Sequence, residues 1–233
     1  MCSLAKHIEC VIEQEPFNQI FKASTLYKAQ FDNFPEMTYY KTLERMSKQG
    51  IIAHLSKGLY YRPKRSRFGV VPISEKEIVN YYTEGNKGLV IGYRLYNQKG
   101  ITTQIGKRVE ILSSLLTERK KTIDNIYIRN CECMITEYSI PVIETLEILQ
   151  NYGKIEDINR YALAAYMKEF AFRYSDTITV NVLKNKIYKK STIAFLKSFL
   201  DYFKIEHSLN QFLSNLSTYK IPEVRDFYES TQL

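Results

Sequence analysis

The chain has 233 residues, of which 45% are hydrophobic and 25% charged, and its 33 Lys and Arg against 25 Asp and Glu give a formal net charge of +8. This length can hold one large domain or two small ones, and the composition excludes disordered and collagen-like chains. A basic excess of this size is compatible with a polyanionic partner, but by itself it does not identify one.

The positive charge is concentrated near the N-terminus. Residues 1–67 contain 11 basic and 6 acidic side chains, a net charge of +5, whereas residues 68–233 contain the other 22 and 19, a net charge of +3. Residues 57–67 carry five basic side chains and no acidic one. The segment RPKRSRFGVVPIS, residues 62–74, contains two prolines and a glycine and is typical of a linker. The sequence therefore predicts one domain over residues 1–67 and another over residues 68–233.

Two helices are predicted at the start of the first domain. Hydrophobic residues recur there at helical spacing: Leu4, Ile8, Val11 and Ile12. This first helix should end before Pro16, because the residue that precedes a proline avoids helical backbone. A short extended piece over residues 17–22 follows. Ser24 is then expected to cap a second helix that runs through Phe31.

A third helix and a hairpin complete the first domain. The helix follows Pro35 and ends at Gly50, a residue suited to the left-handed C-terminal cap. Its inward stripe consists of Tyr39, Leu43 and Met46. Its outer side carries Thr38, Tyr40, Lys41, Arg45 and Lys48. Residues 51–62 form two β-prone runs around a glycine-containing turn, which predicts a hairpin.

Three helices followed by a hairpin are the order of a winged helix-turn-helix domain. In such domains the third helix enters the major groove of DNA, and the hairpin, called the wing, contacts the phosphate backbone. The predicted base-reading residues are Thr38, Tyr40 and Lys41. The predicted phosphate contacts are Arg45, Lys57, Arg62, Lys64 and Arg65, and Lys48 completes the candidate DNA-binding surface. The alternative is a winged helix that docks a protein and does not touch DNA.

The second domain is predicted to be mixed α/β with a helical C-terminal part, so that the whole chain is α+β. Ser74 should cap a helix that runs to Tyr82, and strands are predicted over residues 89–91, 109–112 and 126–129. Helical stripes then follow Pro141: Val142, Leu146 and Leu149; Ile158, Tyr161 and Ala165; Ile193, Leu196, Leu200 and Phe203; and Leu209, Phe212, Leu213 and Leu216.

No enzyme signature is complete, which favours a non-enzymatic protein without a cofactor or a metal. Residues 100–108 imitate a phosphate-binding P-loop, but five residues separate the two glycines, and Arg108 stands where the motif needs Ser or Thr. The three histidines lie in different elements and lack metal-pair spacing. Four carboxylates are expected on solvated helix faces: Glu144, Glu147, Glu156 and Asp157. A nuclease or nucleotidyltransferase would instead need carboxylates that converge in a cleft of the second domain.

The cysteines and the hydropathy pattern predict a cytoplasmic protein. Four cysteines lack the spacing of a disulfide framework and are expected to be free thiols: Cys2, Cys10, Cys131 and Cys133. No run of about 18 apolar residues occurs. Lys6 and Glu9 interrupt the N-terminus where a signal peptide is apolar, so neither a membrane span nor secretion is predicted.

Two segments resemble a known protein family. They are KGLYYRP, residues 57–63, which closes the hairpin, and GLVIGYRLYNQKGITTQ, residues 88–104. Together they resemble the AbiEi family of antitoxins, which belong to abortive-infection, type IV toxin-antitoxin operons. The shared features are Gly58-Leu59-Tyr60, a glycine-containing strand, Leu95 and the turn Gly100-Ile101-Thr102-Thr103-Gln104. This turn has isoleucine where the family usually has leucine, and the proline that often follows the glutamine is absent.

This resemblance covers residues 1–131 and implies two roles. The first is an N-terminal winged helix that binds inverted repeats in the promoter of its own operon and represses transcription. The second is a C-terminal domain that counteracts a nucleotidyltransferase toxin, with or without direct contact between the two proteins.

Overall fold

The computed structural model describes residues 3–184, 188–214 and 216–229, and their helices and strands form an α+β fold, as predicted. The chain divides into an N-terminal unit, Met1–Tyr81, and a C-terminal unit, Tyr82–Leu233. Within the described ranges, no helix is both long enough and apolar enough to cross a lipid bilayer.

The N-terminal unit places three helices beside a small antiparallel sheet. The helices are α1 (Leu4–Ile12), α2 (Ala23–Gln30) and α3 (Glu36–Lys48). The strands are β1 (Ile20–Lys22), β2 (Ala53–Ser56) and β3 (Leu59–Tyr61), and their order in the sheet is β1-β3-β2. The predicted hairpin is present as β2 and β3, and β1 joins it as a third strand.

The second helix begins two residues earlier than a cap at Ser24 predicts, so the expectation that Ser24 caps it is wrong. Lys22 occupies the N-cap position and makes no side-chain capping bond. Lys22 is also the last residue of β1, and the backbone amide of Ala23 donates to the carbonyl of Gly58 at 2.9 Å. Because the strand passes directly into the helix, no position outside the helix remains for a serine cap.

The inward stripe of α3 forms the centre of the N-terminal core, as predicted. Tyr39, Leu43 and Met46 are each 0% exposed and belong to the same hydrophobic cluster as Ile8 and Ile12 of α1. The Tyr39 hydroxyl donates to the carbonyl of Ala23 at 3.0 Å, which satisfies its one polar group. Full burial of a side chain of this size stabilises the fold by about 1.5–3 kcal/mol.

The segment predicted as a linker contains a second, smaller hairpin. Its strands are β4 (Arg65–Ser66) and β5 (Gly69–Val70), which pair antiparallel and are exposed. The backbone amide of Ile73 donates to the Tyr61 hydroxyl at 3.4 Å, and Asn18 Nδ2 donates to Glu77 Oε1 at 2.8 Å. The first bond fastens the segment to the N-terminal unit, and the second fastens Glu77, which follows the segment. The division between the units falls after Tyr81.

The helix that follows, α4 (Glu75–Thr83), starts at the predicted cap. The backbone amide of Glu77 donates to Ser74 Oγ at 3.3 Å, and the backbone amide of Ser74 donates to Glu77 Oε2 at 2.8 Å. This reciprocal pair is a capping box, which satisfies two backbone donors at the start of a helix.

A four-stranded sheet begins the C-terminal unit. Its strands are β6 (Gly88–Ile91), β7 (Val109–Ser113), β8 (Lys120–Ile123) and β9 (Ile126–Asn130), in the order β6-β7-β9-β8. The β7–β9 pair is parallel and the other two pairs are antiparallel. Three of these strands are predicted by the sequence. The edge strand β8 is not, because Lys120, Lys121 and Thr122 do not form a hydrophobic run.

The remaining elements of the C-terminal unit are helical. They are α5 (Tyr93–Gln98), α6 (Ile140–Asn151), α7 (Arg160–Phe172), α8 (Asp176–Leu183), α9 (Lys190–Tyr202) and α10 (Arg225–Glu229). The sequence misses α5, α8 and α10. Two predicted stripes are also wrong, because Tyr161 is 59% exposed and Leu216 is 99% exposed. Residues Leu209–Phe212 form only a short 3-10 turn, and α7 instead buries Leu163, Ala164 and Met167.

The expectation of solvated carboxylates is wrong for two residues of α6. Glu147 is 0% exposed, and its Oε2 accepts from Arg129 Nη2 at 2.5 Å. Glu144 pairs with the Lys99 ammonium at 2.6 Å. The hydrophobic cluster includes residues of the sheet, of α7 and of α9 as well as of α6. Because other elements surround α6, its carboxylates at positions 144 and 147 contact neighbouring side chains and are not solvated. Glu156 and Asp157 are exposed as expected, although they lie in a loop.

Two cysteines differ from the prediction of free thiols. Cys131 and Cys133 form a disulfide, and both are buried in the C-terminal core. Their Cα atoms lie 5.4 Å apart, which is within the range that a disulfide spans. Cys10 is free and exposed, and Cys2 lies outside the described residues.

Gly88 lies where two stretches of backbone approach each other closely. A β-carbon at this position would stand 2.3 Å from the carbonyl oxygens of both Leu112 and Tyr82. We expect Gly88→Ala to lower the free energy of unfolding by about 1–3 kcal/mol, because the added methyl group forces neighbouring backbone apart. Urea denaturation followed by circular dichroism measures this loss.

Gly153 provides the matched control for that substitution. Nothing lies within 4 Å of the β-carbon that Gly153→Ala would introduce. We expect this variant to change the free energy of unfolding by less than about 1 kcal/mol. An equal loss of stability in the two alanine variants would contradict the steric explanation for Gly88.

Candidate nucleic-acid interface

The outer side of α3 presents the predicted base-reading residues. Tyr40 and Lys41 are exposed and Thr38 is half-buried, all within the first two turns of the helix. The Tyr40 ring stacks with the Tyr27 ring at a centroid distance of 6.5 Å, which supports its position on the surface. Desolvation raises the pKa of Tyr40 above its usual value. Its hydroxyl is protonated at neutral pH and can donate a hydrogen bond.

The hairpin of β2 and β3 presents a basic residue at its turn. Lys57 is exposed there, and the following Gly58 has a φ of 73°, the left-handed backbone that favours glycine. The register of the two strands shifts between His54 and Ser56, so the hairpin contains a bulge. The His54 ring lies edge-on to the Tyr60 ring at 5.2 Å. The exposed turn can therefore contact a partner while the strands remain paired.

Four of the seven basic side chains among the predicted DNA-binding residues already have an ion-pair or hydrogen-bond partner. On α3, Arg45 forms an ion pair with Glu9, and Lys48 pairs with Glu44 at 2.6 Å. Surface ion pairs of this kind stabilise a protein by only about 0–1 kcal/mol. A phosphate group could therefore replace either carboxylate at little cost to the fold.

The other two partnered residues are arginines that follow the hairpin. Arg62 donates to the carbonyl of Glu15 at 3.1 Å, and its guanidinium lies 4.2 Å from the centroid of the Phe17 ring. Arg65 donates to the carbonyl of Gly50 at 2.8 Å, directly after the end of α3. These bonds hold both guanidinium groups in fixed positions and also give both residues a structural role.

Three of the predicted DNA-binding residues are exposed lysines that form no ion pair with another described residue. Lys41 on α3, Lys57 in the hairpin turn and Lys64 before β4 are all exposed. None of the ion pairs between described residues includes any of these three ammonium groups. They are therefore the candidate residues most available to a negatively charged ligand.

A basic cleft brings several of these residues together. Its volume is about 660 Å³, and it is lined by Glu13, Phe17, Ile51, Arg62, Pro63, Lys64 and Arg65. Three basic side chains against one acidic side chain give it a positive local charge. The structure thus places three of the predicted phosphate-binding residues at one site, whereas Thr38, Tyr40 and Lys41 lie on α3.

Sequence reasoning misses the aromatic residues that accompany these arginines. Phe17 is 52% exposed beneath Arg62, and Phe68, at the tip of the second hairpin, is 86% exposed with the Arg67 guanidinium 4.6 Å from its ring centroid. The Arg-Phe dipeptide at residues 67–68 is visible in the sequence. The contacts predicted in residues 62–74 are Arg62, Lys64 and Arg65, and they do not include this dipeptide.

The comparisons with known proteins assign no family to this chain. No protein family model and no protein of curated function matches it. Among solved structures, this chain is similar to the crystal structure of the RV2827C protein from Mycobacterium tuberculosis. The alignment covers 93% of this chain and 82% of that protein, with 10% sequence identity and a TM-score of 0.42. A similarity of this degree identifies neither a family nor an activity.

Proposed function

We propose that the chain is a DNA-binding transcriptional regulator and that the N-terminal unit is a winged helix-turn-helix. In this proposal α3 enters the major groove, and the hairpin of β2 and β3 is the wing. The element order and the antiparallel sheet β1-β3-β2 support it. The observation that carries it is the exposure of Lys41, Lys57 and Lys64, whose ammonium groups have no ion pair among the described residues.

The proposal divides the surface into two kinds of contact. Thr38, Tyr40 and Lys41 reach base edges from the first turns of α3 and determine which sequence is bound. Lys57, Lys64 and the two fixed arginines, Arg62 and Arg65, hold phosphates and determine affinity for any duplex. Arg45 and Lys48 exchange their carboxylate partners for phosphate on binding.

The resemblance to AbiEi antitoxins supports a more specific form of the proposal. In this form the regulator acts in the cytoplasm, represses its own operon at inverted repeats, and counteracts a nucleotidyltransferase toxin. The support consists of residues 57–63 and 88–104. Co-expression with a nucleotidyltransferase encoded next to its gene tests this form, and we expect rescue of growth by the full chain.

DNA binding is tested by a triple substitution of the exposed lysines. Fluorescence anisotropy should show that wild-type protein prefers a duplex from upstream of its gene over a scrambled duplex. We expect Lys41→Gln/Lys57→Gln/Lys64→Gln to weaken binding to both duplexes. The slope of log Kd against log salt should fall by about 0.9 for each phosphate that the variant no longer neutralises. Lys41→Gln alone should mainly reduce the preference between the duplexes.

The control variant removes the same charge from exposed lysines outside this surface, at Lys6, Lys28 and Lys76. We expect Lys6→Gln/Lys28→Gln/Lys76→Gln to bind DNA with nearly wild-type affinity and salt dependence. Equal weakening in the two triple variants would show a general charge effect and would refute the proposed surface. Absence of DNA binding by the wild-type chain would favour the alternative, a winged helix that docks a protein.

A further inference from the structure

A second basic cleft lies within the C-terminal unit, where β8 begins and β9 ends. Its volume is about 400 Å³, and its lining residues are Arg119, Lys120, Tyr127, Arg129 and Asn130. Three of these five residues are cationic and none is acidic. The volume falls in the lower part of the range of about 300–1,000 Å³ that is usual for small-molecule sites. The cleft therefore has the size for a small ligand and the charge for an anion.

The strand pairing places two of the cations directly opposite each other. Lys120 of β8 pairs with Arg129 of β9 in the antiparallel register. Like charges at directly opposed positions destabilise a sheet. The backbone amide of Asn130 also donates to the carbonyl of Arg119 at 3.1 Å, which keeps Arg119 beside the end of β9. Arg119, Lys120 and Arg129 therefore lie together in the lining of one cleft.

Arg129 is held in place by a buried partner. Its Nη2 donates to Glu147 Oε2 at 2.5 Å, and the side chain of Glu147 is fully buried while that of Arg129 remains 25% exposed. A guanidinium has five N–H donors in a rigid plane, so this bond leaves other donors for a ligand. Because Glu147 balances the charge of Arg129, Arg119 and Lys120 supply the positive charge without a compensating carboxylate in the cleft.

We propose that this cleft binds the phosphate group of a nucleoside phosphate. Arg119 and Lys120 provide two charges that match a phosphate dianion, and Arg129 provides an oriented donor. Tyr127 is half-buried in the same lining and offers an aromatic surface on which the base stacks. This site is separate from the DNA-binding surface proposed for the N-terminal unit, and neither depends on the other.

Isothermal titration calorimetry of the full chain with ATP at low salt tests the site. We expect Arg119→Gln/Lys120→Gln to weaken ATP binding by about tenfold for each charge removed. Each substitution removes a hydrogen bond to a charged group, and the free energy of such a bond is similar to that of a tenfold change in affinity. Adenosine, which lacks phosphate, should not bind. Tyr127→Leu should weaken binding of ATP but not of inorganic triphosphate.

Two controls separate this site from general attraction to a basic protein. Lys154→Gln/Lys168→Gln removes the same charge from exposed positions outside the cleft and should leave ATP affinity unchanged. Lys41→Gln/Lys57→Gln/Lys64→Gln should also retain ATP binding, even if this variant no longer binds DNA. Equal weakening by Lys154→Gln/Lys168→Gln, or no ATP binding by wild-type protein, would overturn the proposal. Binding of a single-stranded oligonucleotide but not of ATP at this cleft would overturn it as well.

Discussion

Substitution of Arg129 by methionine is expected to destabilise the C-terminal unit by about 3–5 kcal/mol, because it leaves a buried carboxylate without its cation. Glu147 is 0% exposed, and its Oε1 has no hydrogen-bond partner among the described residues. After the substitution, Oε2 would lose its bond from Arg129 as well. Urea denaturation of wild-type and Arg129→Met protein at pH 7 measures the difference.

A double substitution distinguishes the buried charge from the loss of packing. In Arg129→Met/Glu147→Leu the carboxylate is replaced together with its partner, so no buried charge remains. We expect this variant to recover most of the stability lost in Arg129→Met, since apolar replacement of a buried ion pair is often neutral or stabilising. A double variant as unstable as the single variant would show that the guanidinium acts mainly through packing.

The pH dependence of the single variant has a defined sign. Burial raises the pKa of Glu147 above the usual carboxyl value, and Arg129 opposes this rise in the wild-type protein. Without Arg129, the folded state retains a proton that the unfolded state releases. The variant should therefore be closest to wild type in stability below the ordinary carboxyl pKa and lose stability as the pH rises. Denaturation curves at pH 4 and pH 7 compare the two regimes. A constant difference between variant and wild type would contradict this account.

The second large effect is expected from two adjacent tyrosines of α3. Tyr39 is fully buried in the N-terminal core, whereas Tyr40 is 37% exposed on the proposed DNA-binding surface. We expect Tyr39→Ala to lower the free energy of unfolding by about 3–5 kcal/mol, the usual cost of removing a buried aromatic ring. Tyr40→Ala should cost less than about 1 kcal/mol and should instead reduce preference for the upstream duplex.

A conservative variant separates the Tyr39 ring from its hydroxyl. Tyr39→Phe removes only the bond to the carbonyl of Ala23, and we expect a loss of about 0.5–1.5 kcal/mol with DNA binding retained. Thermal denaturation and anisotropy titrations on the same samples provide both measurements. If Tyr40→Ala destabilised the fold as strongly as Tyr39→Ala, the assignment of the two faces of α3 would be wrong.

Features that depend on local spacing could be predicted from the sequence. Each of three such features depends on residues that are close together in the sequence. They are the stripe of Tyr39, Leu43 and Met46, the hairpin around Gly58 and the cap at Ser74. Features that depend on distant partners could not. Glu147 has the spacing of a polar helix position, and only the neighbouring β9 shows that it pairs with Arg129.

In the candidate interface, too, contacts between residues close in sequence could be predicted and contacts between distant residues could not. Its basic residues are visible in the sequence, and the Glu44–Lys48 pair follows from their separation of four positions. The ion pair of Arg45 with Glu9 requires the packing of α1 against α3, and the bond of Arg65 to Gly50 requires the turn after α3. The sequence thus identifies which residues are basic, and the structure shows which of them are already occupied.

The position of β8 at the edge of the four-stranded sheet affects how the protein behaves at high concentration. An open edge strand can pair with a strand from another molecule and start aggregation. Here the strand begins with the exposed Lys120, whose charged side chain would have to lose water if a second chain were added. Lys120, which helps to prevent a hydrophobic run in β8, therefore also protects the sheet against intermolecular strand addition.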